Sequence, residues 1–151
     1  MIVCRSAAEL DRMREAGRLV GEVLTTLATL VAPGVTTAEL DEVAGRTIRA
    51  AGARPAFKGY HGFPATICAS VNDEVIHGIP SQERVLRAGD VISIDVGAEL
   101  GGYYGDSAVT LPVGAISPDA AKLLQVTEGS LYAGIARARS GGRVSDIGHA
   151  V

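Results

Sequence analysis

A chain of 151 residues, 47% hydrophobic and 21% charged, is long enough for one domain with a core of its own and is not disordered in composition. Its formal charge of −3, without a Lys/Arg cluster, gives no electrostatic footprint for nucleic acid, and no apolar run nears the roughly 18 residues that a membrane span needs. The N-terminus MIVCRSAAEL lacks the basic region and apolar segment of a secretory signal. The only cysteines, Cys4 and Cys68, form no CxxC and point to a reducing, cytoplasmic setting.

The first helix is predicted to start at Ser6, where Ser6 and Glu9 have capping-box spacing. Leu10, Met13, Gly17, Val20, Leu24, Leu27 and Val31 mark its apolar face, and Pro33-Gly34 stops it. A second helix starts at Thr36 with the same device (Thr36 and Glu39). Its stripe is Leu40, Val43, Ala44, Ile48 and Ala51, with Gly52 as the stop. The pattern then changes. Ala65 to Val71 reads as a strand, Asn72-Asp73 as a turn and Glu74 to Ile76 as a short return strand. Gly89-Asp90 is another turn, and Val91 to Ala98 and Tyr103 to Pro112 are the arms of a hairpin. A third helix follows Ser117-Pro118, with Leu124, Thr127, Leu131, Ile135 and Ala138 facing one way. Ser140-Gly141-Gly142 ends it, and a fourth begins near Val144. This last part echoes the first: aligning Gly34 with Gly141 aligns Glu39 with Asp146 and Leu40 with Ile147. A helix–helix–strands unit starting a second time is expected, without its own strands in this chain.

The hairpin SIDVGAELGGYYGDSAV carries one aspartate in each arm. Carboxylates are poor strand formers and destabilise a sheet when they face each other. A turn at Leu100-Gly101 sets Asp95 directly opposite Asp106. A turn at Gly101-Gly102 sets Asp106 opposite Gly97 and makes Asp95 its diagonal neighbour. Either two-residue turn puts both carboxylates on one face, while Ile92, Ile94 and Val96 point to the other. Two readings stay open: a shared divalent cation between the carboxylates, or two solvated side chains on an open sheet face. Asp90 and Glu99 sit at turn positions and read as structural.

His77, within VNDEVIHGIP, is set between Ile76 and Ile79. It reads either as a group that exchanges protons near neutral pH or as a satisfied histidine at a strand end. His61 lies in the loop GYHGFP. Three aromatic residues, Phe57, Tyr60 and Phe63, cluster there in a chain with only 4% aromatics. Such a loop walls an apolar pocket or caps the core. His149 reads as structural.

Together, GYHGFPATICASVNDEVIHGIP, GDVISIDVGAELGGYYGDSAVT and the helical N-terminal region closely resemble the type I methionine aminopeptidases, from about Ser6 to the last residue. The resemblance implies an α+β, pita-bread fold, shared with creatinase and proline aminopeptidases: two pseudo-symmetric halves around a dinuclear metal centre. Residues 1–116 would be the first repeat and 117–151 the start of the second, in a single truncated domain over 1–151. By the same resemblance, Asp95 is a bidentate ligand of one metal and Asp106 bridges both. His77 is no ligand; it contacts the substrate near the scissile amide and helps stabilise the transition state. Tyr60, Phe63 and Cys68 line the pocket for the methionine side chain, with Phe63 where many relatives have tyrosine. Asn72 lies in a turn that in some relatives offers a backbone oxygen to a monovalent cation.

The implied activity is hydrolysis that removes the N-terminal methionine of nascent polypeptides, a step of protein maturation. Two divalent cations (Co, Mn, Fe or Zn) activate a bridging water. The implied setting is the cytoplasm, near the ribosome, with no nucleic-acid or membrane partner. Three further ligands, a histidine and two glutamates, and a second substrate-contacting histidine belong to the family's second half. None is matched here, so an inactive or incomplete fragment with exposed apolar surface is expected. The competing expectation is a non-catalytic pita-bread module that binds peptides or proteins, against which His77, Asp95 and Asp106 together argue. A proline-specific peptidase of the same fold is disfavoured by the N-terminal helix leading to GYHGFP.

Overall fold

Capping decides where the helices begin. In the computed structural model, which describes residues 3–151, the Ser6 hydroxyl accepts the Glu9 N–H at 3.3 Å, and Glu9 accepts the Ser6 N–H at 2.7 Å. This reciprocal pair opens α1 (Ala7–Ala28). Thr36 and Glu39 repeat it at 3.2 and 2.7 Å to open α2 (Thr37–Ala50). Both starts are where the sequence places them.

The contact face of α1 differs from the expected stripe. Ala16, Leu19, Val20, Val23 and Leu27 are buried, whereas Leu10 and Met13 are exposed. A close approach to the sheet explains the rotation. A Cβ on Gly105 would lie 2.4 Å from the Ala16 carbonyl oxygen, so the helix backbone rests on the strand at that point. The first turns of α1 instead meet the hairpin tip, where the Tyr103 hydroxyl donates to Glu9 at 3.4 Å and Arg12 lies 5.9 Å from the Tyr103 ring centre. Along α2, Leu40, Ala44 and Ile48 are buried as expected, but Ala51 is the exposed cap residue.

The sheet consists of β1 (Arg54–Pro55), β2 (Ile67–Val71), β3 (Val91–Leu100) and β4 (Tyr103–Pro112). All pairings are antiparallel: β1 and β2 pair with β3 along one side, and β4 pairs with its other side. Period-2 alternation gives this sheet two chemically different faces. Ile92, Ile94, Val96 and Ala98 join Ile67, Ala69 and Val71 against α1 and α2 in one core. Ser93, Asp95 and Gly97 look the other way.

The predicted return strand at Glu74–Ile76 does not form. Asn72, at φ 57°, instead bonds across to Val91: its N–H donates to the Val91 carbonyl and its Oδ1 accepts the Val91 N–H, both at 3.0 Å. The Glu74 carboxylate then takes the Val71 N–H at 2.7 Å. The donor that a returning strand would use is thereby occupied, and Val75 and Ile76 are left exposed.

The chain divides into two compact units, 1–115 and 116–151. The second holds α3 (Pro118–Arg137), capped by Ser117, and α4 (Val144–Ala150). Its expected apolar stripe is not a buried face: Leu131 and Ile135 are exposed, as are Leu123, Val126 and Tyr132, and Ala138 is the cap residue. The one buried residue of α3 is Gly134, whose missing side chain admits Ile147 of α4 and Val151, the residue after that helix. Gly34 and Gly141, aligned in the sequence, both take positive φ, 94° and 85°.

The capping carboxylate of Glu9 is pulled down to a pKa of about 2, first by the Ser6 backbone N–H, then by the Ser6 hydroxyl. A depressed carboxylate stabilises the fold above its unfolded pKa of about 4.5 and loses that contribution as pH falls through about 2. Ser6→Ala is therefore expected to lower the melting temperature by about 2–4 °C at pH 6, with much of the difference from wild type gone at pH 2.5. Thermal melts followed by circular dichroism at the two pH values check it.

Candidate metal centre

The hairpin turn fixes the geometry of the polar face. Gly101 and Gly102 have φ of 59° and 86°, the mirror-image combination that suits a two-residue hairpin. Of the two registers considered, this selects the second: Asp106 pairs with Gly97 and Asp95 with Ala108. Asp95 and Asp106 are thus diagonal neighbours on one face, not directly opposed. The next pair along that face is Ser93 and Thr110, whose hydroxyls bond at 2.7 Å.

β2 brings further groups to this face. Cys68 pairs directly with Asp95, and Ser70 with Ser93. Cys68 is buried, and its thiol is pushed up to about 11, first by burial and then by the charges of Asp95 and Asp106. It stays protonated at neutral pH and is no nucleophile. Asp95 also titrates above its ordinary value. Burial is the main cause and Asp106 the next, while His77 acts the other way. The Oδ1 of Asp95 is buried without a hydrogen-bond partner. Asp106 is exposed at the same edge of the face.

His77 is exposed and sits in the left-handed region at φ 59°. Gly78 beside it lies against β2, with its carbonyl accepting the Ala69 N–H at 2.9 Å and its N–H donating to the Ser70 hydroxyl at 3.0 Å. This docking to β2, which neither Gly78 nor Ser70 announces in sequence, fixes the residue next to His77, whose imidazole is near enough to act on the Asp95 charge.

The aromatic loop closes on itself. The Gly59 N–H donates to the Phe63 carbonyl at 2.8 Å around a short 3-10 turn, Tyr60–Gly62. The Tyr60 and His61 rings meet edge-on at 4.4 Å. Tyr60 is exposed and Phe63 half-buried. Phe57 reaches the carboxylate face, because the Ala56 N–H bonds the Gly97 carbonyl at 2.9 Å. The Phe57 ring fills the place of a side chain at Gly97, where an added Cβ would lie 2.4 Å from it. Sequence reading counted Phe57 in the cluster but gave it no place at the site; the signal was the glycine two residues after Asp95. At the loop's far end, Asp41 of α2 accepts the Thr66 and Ile67 N–H groups at 2.7 and 2.9 Å and fixes the start of β2. Asp90 and Glu99 are structural, as expected. Asp90 accepts the Arg87 N–H and the Asn72 amide at 2.8 Å each, and Glu99 takes the Gly102 N–H at 2.5 Å and pairs with Arg54.

The donor chemistry fits a divalent cation in part. Two hard carboxylates share a face, and one oxygen is buried and unpartnered. Among the described residues, no group of three or more His, Cys, Asp or Glu is arranged to hold a metal. Asp95 and Asp106 are thus a carboxylate pair without a third such donor grouped beside them among the described residues.

Residues 11–151 match the model of metallopeptidase family M24. The chain belongs to that family. It is 55% identical, along its whole length, to methionine aminopeptidase 1 of Bacillus subtilis, covering 60% of that protein. It is 50% identical over 147 residues to methionine aminopeptidase 1 of Mycobacterium tuberculosis, covering 55% of it. Among solved structures, the methionine aminopeptidase of Thermotoga maritima superposes with a TM-score of 0.97 at 36% identity, over 100% of this chain and 61% of that one. A Xaa-Pro dipeptidase from Bacillus anthracis shares the fold alone, with a TM-score of 0.75 at 22% identity. These likenesses show the expected α+β, pita-bread class. This M24 chain spans about three-fifths of the length of the curated relatives it matches.

Relief of like-charge repulsion gives a direct test of the carboxylate pair. In the presence of EDTA, Asp106→Asn is expected to raise the melting temperature by about 2–4 °C, because Asp95 loses its charged neighbour. Excess Mn²⁺ is expected to raise the melting temperature of the wild type by about 5 °C or more and that of the variant far less. An equal rise in both proteins would show that Asp106 does not hold the ion.

Proposed function

We propose that this chain is the carboxylate-bearing part of a metalloaminopeptidase that hydrolyses the N-terminal methionine from nascent polypeptides in the cytoplasm, near the ribosome. The observation that carries this reading is the buried, unpartnered Asp95 oxygen on the same face as Asp106. The 55% identity to a methionine aminopeptidase supports it.

Asp95 and Asp106 are the residues proposed to hold divalent metal, with Asp106 shared between two ions. The ions are Co, Mn, Fe or Zn, and the remaining ligands come from outside the described residues. Metal bound there supplies a Lewis acid that activates water and polarises a carbonyl. The chain's own residues do the rest. Burial of Asp95 makes its carboxylate expensive to leave unpaired, which favours a bound cation. His77 is assigned no metal; it reaches the substrate's amide, where a hydrogen bond that strengthens with developing charge lowers the barrier. Cys68 keeps its proton and offers a soft, apolar wall, as do Tyr60 and Phe63, to the thioether side chain.

In the full-length protein, Asp106→Asn is expected to reduce Mn²⁺- or Co²⁺-dependent release of methionine from a Met-Ala peptide by about 100-fold or more. His77→Ala is expected to leave metal affinity intact and to lower turnover by about 100- to 1,000-fold. Turnover and calorimetric metal titration check both. Unchanged activity in Asp106→Asn would overturn its role in holding metal, no activity in the wild type would favour a non-catalytic peptide-binding module, and lost metal binding in His77→Ala would make the histidine a ligand.

A further inference from the structure

His77 is held in a backbone conformation that side chains with a Cβ avoid, at φ 59°. Such a residue persists only where its surroundings fix it. The turn from Asn72 does not supply the hold, because residues 74–76 pair with no strand and Val75 and Ile76 are exposed. The hold comes one residue later. Gly78 lies so close to β2 that a Cβ would be 2.3 Å from the Ala69 carbonyl oxygen. Two hydrogen bonds clamp it there: Ala69 N–H to the Gly78 carbonyl, and Gly78 N–H to the Ser70 hydroxyl.

The second bond is the unusual one. Ser70 is only 5% exposed and sits on β2 two residues after Cys68, the direct partner of Asp95. Its side chain therefore stands on the carboxylate face, yet its Oγ is turned to a loop amide. Among the described residues, it provides the side-chain hydrogen bond that residues 75–79 receive. A half-buried N–H left without that acceptor would carry a desolvation cost, and the loop would leave the strand to find water.

We infer that Ser70 is a positioning residue: by accepting the Gly78 N–H, its buried hydroxyl locks the strained His77–Gly78 segment onto β2 and keeps the imidazole near Asp95. The inference rests on the proposed role of His77 at the substrate. Ser70 itself touches neither substrate nor metal. Its contribution passes entirely through the histidine, so removing it matters only while His77 is present.

A double-mutant cycle in the full-length protein tests this, using Ser70→Ala, His77→Ala, the double variant and Ser70→Thr. Ser70→Ala is expected to lower kcat for a Met-Ala peptide about tenfold, with KM and calorimetric Mn²⁺ affinity within twofold of wild type. Ser70→Thr keeps the hydroxyl and is expected to recover most of the loss. In the His77→Ala background, Ser70→Ala is expected to cost less than twofold. The Gly78 amide should exchange with solvent at least tenfold faster in Ser70→Ala. If that variant does not fold, Ser70→Cys, of similar size but a weaker acceptor, carries the same expectations. Wild-type kcat in Ser70→Ala, or an equal loss with and without His77, overturns the inference while the proposed function stands. Wild-type turnover in His77→Ala removes the histidine's role and the inference together.

Discussion

The register of the β3–β4 hairpin is the constraint on which the rest of unit 1 depends. A two-glycine turn sets it, and with period 2 it sends Ile92, Ile94, Val96 and Ala98 into the core and Asp95 and Asp106 to the opposite face. A slip of one residue between β3 and β4 would turn one strand over, setting its aspartate among aliphatic side chains and exposing its own aliphatic ones. The apolar face thus enforces the placement of the polar one. β1 and β2 both pair with the same central strand, so Phe57, Cys68 and, through β2, His77 take their positions from that single register.

Local free energy is spent at this face in three ways. Asp95 is partly buried beside a like charge, Cys68 is a buried thiol opposite Asp95 and within the field of both carboxylates, and His77 has a backbone conformation of low population. None of these is favourable alone. The core beneath pays no such cost: Leu27, Leu40, Ile48, Ile67, Ile92 and Ile94 are fully buried on the other side of the sheet. One layer stabilises while the other holds groups in unfavourable states. Such a division is expected where chemistry, rather than stability, sets the residues.

Much of this was legible in the sequence because the signals are local. Capping boxes at Ser6 and Thr36, the alternation around Asp95 and the Gly-Gly turn each depend on residues a few positions apart. The signals that failed depend on distant partners. The buried stripe of α1 is rotated because Gly105, in a strand read without reference to the helix, lets the helix backbone approach. Glu74–Ile76 has strand-like composition, but Asn72 and Glu74 had already taken the hydrogen bonds a strand would need. The apolar periodicity of α3 is real, yet no described residue covers Leu131 or Ile135. Periodicity reports what a helix can bury, not what lies against it.

The closeness of Gly78 to β2 has a consequence for how variation here should be interpreted. Any side chain at 78 would strike the Ala69 carbonyl, so the segment could not seat and His77 would leave the carboxylates. Under the proposed function, a mutational scan scored by turnover would rank this glycine beside the aspartates, although it carries no group that reacts. Intolerance at position 78 measures clearance, and a site inferred from intolerance alone would count as chemistry what is only a gap in the packing.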